Sequence, residues 1–186
     1  MNTKTVLCFV ILCTLGGRGA EFDLGIHGVL SVAVPAGWTV NGQPVARPNG
    51  TSIGYTFSFK PSGNANAKCL LSFIYVTNRP PDQATIRKDV LRISEKYVSV
   101  SVEKRILLRD FSLENGYGVY CVFTDASLVG KKIKAGEFKV MGSGEVQPSK
   151  DMLGAVSLFA DDADGEDFKT MVKIINSLKV KPNATK

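Results

Sequence analysis

Ile53-Gly54-Tyr55-Thr56-Phe57-Ser58-Phe59 alternates large apolar with small or polar residues at every step. Side chains two apart in a strand share a face, so Ile53, Tyr55, Phe57 and Phe59 form one apolar row and the segment predicts a half-buried β-strand. Upstream, Val29 to Val34 reads as a strand closed by Pro35-Ala36-Gly37 before Trp38, and Asn41 to Gly50, rich in turn formers, reads as a loop. Downstream, Cys69 to Val76 is a nearly continuous apolar run, the pattern of a central strand covered on both faces. Arg105 to Leu113 and Tyr117 to Thr124 flank Glu114-Asn115-Gly116. Asn-Gly supplies the two positive-φ positions of a type I′ turn, so a tight hairpin is predicted, with Phe111 opposite Tyr120. Phe138 to Met141 and Met152 to Phe159 complete an antiparallel sheet of about six to seven strands.

Two segments change to the helical period. In Asp82 to Val98, Ile86, Val90, Ile93 and Tyr97 recur at three and four while Arg87, Lys88, Arg92 and Lys96 point away, and Pro80-Pro81-Asp82 is a start signal. In Asp164 to Leu178 the stripe is Phe168, Val172, Ile175 and Leu178, with Asp164 placed to cap and Lys179 and Lys181 suited to the negative C-terminal end. Strands grouped together with two main helices set apart predict an α+β fold, helices packed on an antiparallel sheet.

The composition restricts chemistry more than fold. Among 186 residues there are 23 Lys plus Arg, 17 Asp plus Glu and a single His. One His leaves no room for a His-rich metal centre. Lys4 followed by the apolar run Val6 to Leu15 and by Gly16-Gly17-Arg18-Gly19-Ala20 has the three-part layout of a secretory signal peptide, and the run is too short to span a bilayer. Residues 1–20 are therefore expected to be removed, with cleavage after Ala20 preferred and after Gly17 or Gly19 as alternatives. Val10-Ile11-Leu12 before Cys13 is not a lipoprotein signal. Residues 21–186 then form one exported domain, periplasmic or secreted, with 182–186 as a frayed tail. Loss of Lys4 and Arg18 lowers the formal charge of +6 by two. The remaining basic residues are scattered apart from Lys131-Lys132-Ile133-Lys134, which is no nucleic-acid footprint.

Cys69 and Cys121 remain after export, where a disulfide is chemically allowed. Such a bridge would contribute roughly 4 kcal/mol by the chain-entropy relation. Two buried thiols on different strands fit the sequence equally. Asp161-Asp162-Ala163-Asp164-Gly165-Glu166-Asp167 is the densest acidic cluster, but an EF-hand alignment puts Ala160 first and Met171 twelfth, and acids at a helix start need no cation. His27 lacks a nucleophile elbow, Ser143 between glycines reads as a strand end, and Trp38 reads as a core seal. No phosphate-binding glycine loop occurs. Neither catalytic residues, nor cofactor ligands, nor metal ligands are therefore expected. Asn49-Gly50-Thr51 and Asn183-Ala184-Thr185 have the form of glycosylation sequons.

Gly28 to Trp38, a strand running into Pro35-Ala36-Gly37-Trp38, resembles the opening of the PsbP-like superfamily, and Phe168 to Val180 resembles its terminal helix. The order of strands and helices between them is similar to that family as well. The resemblance implies an antiparallel sheet flanked by helices in a family of exported bacterial, lumenal and nuclear factors that act mostly by binding partners. It implies no catalytic residue. The expectation is an exported, non-enzymatic accessory protein that recognises another envelope or secreted protein, with Asn41 to Gly50 and Ser127 to Lys134 as contact loops. The alternative is a small-molecule or lipid carrier. Its pocket, of roughly 300 Å³ or more, would lie between the sheet and the helix Asp82 to Val98, lined by Tyr55, Phe57, Phe59 and Phe73.

Overall fold

The computed structural model describes residues 19–76, 79–134 and 136–182. Ten strands and two helices follow one another as β1 (Gly19–Asp23), β2 (Val29–Ala33), β3 (Trp38–Ala46), β4 (Ser52–Pro61), β5 (Lys68–Tyr75), α1 (Gln83–Val98), β6 (Arg109–Asp110), β7 (Tyr117–Thr124), β8 (Val140–Ser149), β9 (Met152–Ala160), α2 (Glu166–Asn176) and β10 (Lys179–Lys181). Seven strands form an antiparallel sheet in the order β3-β4-β5-β9-β8-β7-β6, and three form a second sheet in the order β1-β2-β10. The fold is α+β, with two helices against an antiparallel sheet, as the sequence predicts. The small sheet is an addition. Val29–Ala33 leaves the main set to pair with Gly19–Asp23 and Lys179–Lys181. β1 thus begins two residues inside the expected leader; the rest of that leader, residues 1–18, lies outside the described residues, as does the tail from residue 183.

The large sheet has two differently dressed faces. Phe57, Phe59, Cys69, Leu71, Phe73, Val156 and Leu158 are fully buried on one face, under Leu30 and Val32 of the small sheet and Phe168, Met171, Ile174 and Ile175 of α2. Each of these side chains other than the smaller Cys69 contributes about 1.5–3 kcal/mol by leaving water. The other face carries α1, whose Ile86 and Val90 pack on Val119, Cys121 and Phe123. The Asp82 carboxylate accepts from Thr85 N at 2.8 Å and caps α1. β5 is covered on one face only: Ser72 and Ile74 are exposed beyond the reach of α1.

Several local expectations change. Ser94 is the side chain fully buried against the sheet at this point of α1, accepting from the Cys121 thiol at 3.0 Å, while Ile93 stays at the margin, 38% exposed, facing β8 and β9 across a small cavity. α2 is capped by Gly165 without a side-chain hydrogen bond, and Asp162, not Asp164, turns the chain into it. Asn41 to Ala46 is not a loop but the outer part of edge strand β3, which leaves only Arg47 to Thr51 as the turn.

The predicted hairpin is wider than a two-residue turn. Arg109 lies opposite Tyr120, and Phe111 N donates to Gly118 O at 2.9 Å, so Phe111 is diagonal to Tyr120, not opposite it. Asn115 does not take the positive φ that a type I′ turn needs; among the described non-glycine residues only Lys104 has one. The Phe111 and Tyr120 rings still stack at 4.4 Å. They do so across Gly118, where a Cβ would come within 3.1 Å of the Phe111 ring and 2.7 Å of Val146. Ser112 N donates to Asn176 Oδ1 at 2.9 Å and Lys179 pairs with Glu114, so the loop is tied to the end of α2.

Strand β6 is also shorter than Arg105 to Leu113. The chain touches the edge of β7 at the Ser101–Asp125 bridge and again at Arg109–Tyr120. Between these points it is three residues longer than β7, so Glu103–Leu108 bulges out. Glu103 fills the break in the ladder: its carboxylate accepts from Thr124 N at 2.9 and 3.0 Å and from Thr124 Oγ1 at 2.8 Å.

Candidate functional site

Phe123, Met141 and Phe159 stand side by side across β7, β8 and β9 on the face that carries α1. Alternation puts them there; α1 buries Phe123, but it is too short to bury Met141 and Phe159, which stay part-exposed. α1 ends at Val98, and its last aromatic, Tyr97, reaches only the rim, with its ring 5.6 Å from that of Phe123. An open cleft of about 260 Å³ results, lined also by Val100, Thr124, Asp125, Phe138 and Lys139. Phe138 closes one side by packing on Phe159 at 5.3 Å. Apolar surface continues outward through Val100, 58% exposed; Val129, 52% exposed, follows the 3-10 turn Ala126–Leu128. The hydrogen bond from Ala126 N to Val100 O, 3.0 Å, holds the 3-10 turn Ala126–Leu128 beside this rim.

The rim is mainly basic. Lys139 lines the cleft, and Lys96 places its Nζ 4.9 Å from the centre of the Tyr97 ring. Asp125 is the opposing acid. Hydrogen bonding from Ser127 holds its carboxyl below the usual range, and nearby Lys131 adds to the effect. Of the two expected contact loops, Ser127 to Lys134 therefore follows directly on this rim. Asn41 to Gly50 lies on a distant edge of the sheet, and in its turn Asn49 Oδ1 accepts from Thr51 N at 3.1 Å.

The aromatic residues expected to line a carrier pocket are elsewhere. Phe57, Phe59 and Phe73 fill the closed core on the face opposite α1, and Tyr55 packs against its margin. Trp38 is buried in that core at the start of β3.

The cysteines are free. Cys69 lies opposite Leu158, Leu158 opposite Gly142 and Gly142 opposite Val122, so Cys121, the neighbour of Val122, projects from the other face. Three strand spacings of about 4.8 Å put the two backbones about 14 Å apart, against the roughly 4–7 Å that a bridge requires. Of the two readings the sequence left open, buried thiols are the one this register accommodates. Burial pushes both thiols up, and the contact with Ser94 offsets part of the effect at Cys121.

His27 sits in a 3-10 turn (Gly25–His27), its ring stacked on Tyr75 at 3.6 Å and its Nδ1 2.7 Å from Asp151 Oδ2. Partial burial pushes the Asp151 carboxyl up, but hydrogen bonds from Ser149 and His27 outweigh it and hold the group below the usual carboxylate range. The Ser149 hydroxyl points to Asp151, not to the imidazole, so the group is no nucleophile relay. Ser143 lies in the interior of β8 opposite Ser157, away from His27. The acidic residues around the start of α2 are dispersed: Asp161 accepts from Asn66 at 2.8 Å, Asp162 organises the turn, and Glu166 pairs with Lys169 at 3.1 Å.

In comparisons with known proteins, no family model, curated protein or solved structure matches the chain.

Proposed function

We propose that the chain is an exported, non-catalytic binding protein of PsbP-like type that recognises another protein through the aromatic cleft at the end of α1. The observation that carries this reading is the row Phe123–Met141–Phe159, which is buried under α1 at Phe123 but open to the cleft at Met141 and Phe159, with the exposed Val100 on the same lining. Contiguous apolar surface with a polar rim is the usual mark of an interaction site. The cleft suits one branched or aromatic side chain as an anchor, and such anchors commonly carry 2 kcal/mol or more of an interface's binding energy, an approximate figure from alanine scans. Lys96, Lys131 and Lys139 favour a partner that is acidic around that anchor. The PsbP-like assignment rests on Gly28 to Trp38 and on Phe168 to Val180, and the α+β architecture is compatible with it.

The carrier reading keeps one supporting observation, that a cleft does lie between the sheet and the end of the helix. Its volume of about 260 Å³ is below the roughly 300 Å³ at which ligand pockets ordinarily begin, and its apolar surface extends outward, not inward. Native mass spectrometry of the protein, purified gently from its own host, separates the two. A partner protein at fixed stoichiometry that is lost from Val100→Asp and Val129→Asp supports the proposal. Both positions are exposed, so the fold tolerates the changes. A complex indifferent to both substitutions refutes the site, and a small adduct of defined mass puts the carrier reading in its place.

A further inference from the structure

Along β7, which short β6 and the chain after α1 cover only in part, the main chain is open at a single residue among those described. Gly118 O accepts from Phe111 N, and Thr124 O accepts from Val102 N at 2.8 Å, so even-numbered residues of β7 turn their main-chain groups outward. Tyr120 is paired with Arg109, and Thr124 N is held by Glu103. Val122, between them, has neither its N–H nor its C=O bonded to any described residue. The bulged chain stands off from this position and leaves a pocket of about 250 Å³, walled by Arg105, Leu107 and Arg109 on one side and Ala163 and Asp164 on the other. Arg105 and Arg109 have no ion-pair partner among the described residues.

We infer that this gap binds the C-terminal residue of an extended peptide through its α-carboxylate. The open stretch is one residue pair long with both neighbours occupied. A chain end whose carboxylate points toward Arg109 and whose preceding residues turn off the edge ahead of Val102 displaces neither, whereas a passing strand must displace both. A terminal residue exchanges two hydrogen bonds with Val122: its N–H donates to Val122 O, and its carboxylate accepts from Val122 N. The same carboxylate then lies between two guanidiniums, whose planar forks match it. Glu103 does not compete for them, being engaged with Thr124. Asp164 remains as an opposing charge and favours a monoanion over a more highly charged phosphate. Leu107, Ala163 and the Val122 side chain form an apolar wall for a terminal residue of modest size.

The inference rests on the reading that the partner is a protein, but it uses none of the cleft residues apart from the shared Thr124. The test is a ¹⁵N–¹H NMR titration with N-acetyl-Gly-Ala-Leu as free acid, with its C-terminal amide, and with sodium acetate, at fixed ionic strength. The free acid is expected to move the Val122 amide and to bind at least tenfold more tightly than the amide or acetate. The double variant Arg105→Ala, Arg109→Ala, changed only at exposed positions, is expected to lose at least tenfold, while Val100→Asp binds the peptide unchanged. Equal binding of acid and amide, acetate binding as tightly as the peptide, or an unmoved Val122 amide overturns the inference. None of these results bears on the cleft, whose own variants decide it separately.

Discussion

Replacing Glu103 by alanine removes the carboxylate that closes the break between β6 and the Ser101 bridge. Thr124 N then faces the bulge with no acceptor, and Thr124 Oγ1 loses its partner. Hydrogen bonds to a charged acceptor contribute about 1.5–3 kcal/mol net. Glu103 and Thr124 are both only half-buried, so water replaces part of what is lost, and about 1–2 kcal/mol is expected for Glu103→Ala. For a domain of this size that is a fall of about 2–8 °C in Tm. Glu103→Gln keeps one acceptor oxygen and should cost less than half as much. The pH dependence has a defined sign. Partial burial pushes the Glu103 carboxyl up, but the Thr124 hydrogen bonds outweigh it and leave the folded-state value below the ordinary carboxylate value. The stabilisation is therefore complete above the unfolded-state value and disappears as pH falls through the folded one. Urea unfolding of wild type, Glu103→Ala and Glu103→Gln at pH 7 and at about pH 3 measures this directly. The wild type and Glu103→Gln should differ at pH 7 and converge in acid. An alanine variant as stable as wild type, or a glutamine difference that persists unchanged in acid, refutes the role assigned to the carboxylate.

The cysteines should behave as two buried thiols: no alkylation of the native protein by iodoacetamide, and two adducts after denaturation without reductant. A mature mass two hydrogens lower, or labelling that requires prior reduction, refutes the register that places them on opposite faces. Under the proposal of export, N-terminal sequencing of the processed chain should begin at Gly19 or earlier, because Ala20 pairs with Val32 and is only 2% exposed in the core. That outcome matches cleavage after Gly17; a chain beginning at Glu21 contradicts it. Gly118→Ala should destabilise by about 1–3 kcal/mol, read as a lower urea midpoint, since the new methyl meets both Phe111 and Val146. A neutral effect would mean that the diagonal packing of Phe111 adapts more freely than the structure implies.

The parts of this fold that were legible in the sequence are those that a short window determines. Ile53 to Phe59 alternates, and β4 puts Phe57 and Phe59 in the core; Asp82 precedes an apolar stripe, and it caps α1. What a short window does not contain is which apolar row a neighbouring element covers. Phe123, Met141 and Phe159 carry the same pattern as Phe59, Cys69 and Leu158, one row across the sheet on each face, yet the second row is closed throughout while the first is buried at Phe123 and part-exposed at Met141 and Phe159. The difference is the length and docking position of α1, set by the Ser94–Cys121 contact and by where Val98 ends the helix. Arg105 to Arg109 likewise reads as edge strand by composition. It bulges because Ser101 Oγ accepts from Lys104 N and Glu103 reaches Thr124, contacts between positions that no periodicity relates. Both proposed contact regions lie where regular structure stops short of completion: an apolar row that its helix covers only in part, and a strand edge without its last partner. A binding protein needs such incomplete places, because an element that finished its own packing and hydrogen bonding would have nothing left to offer a second chain.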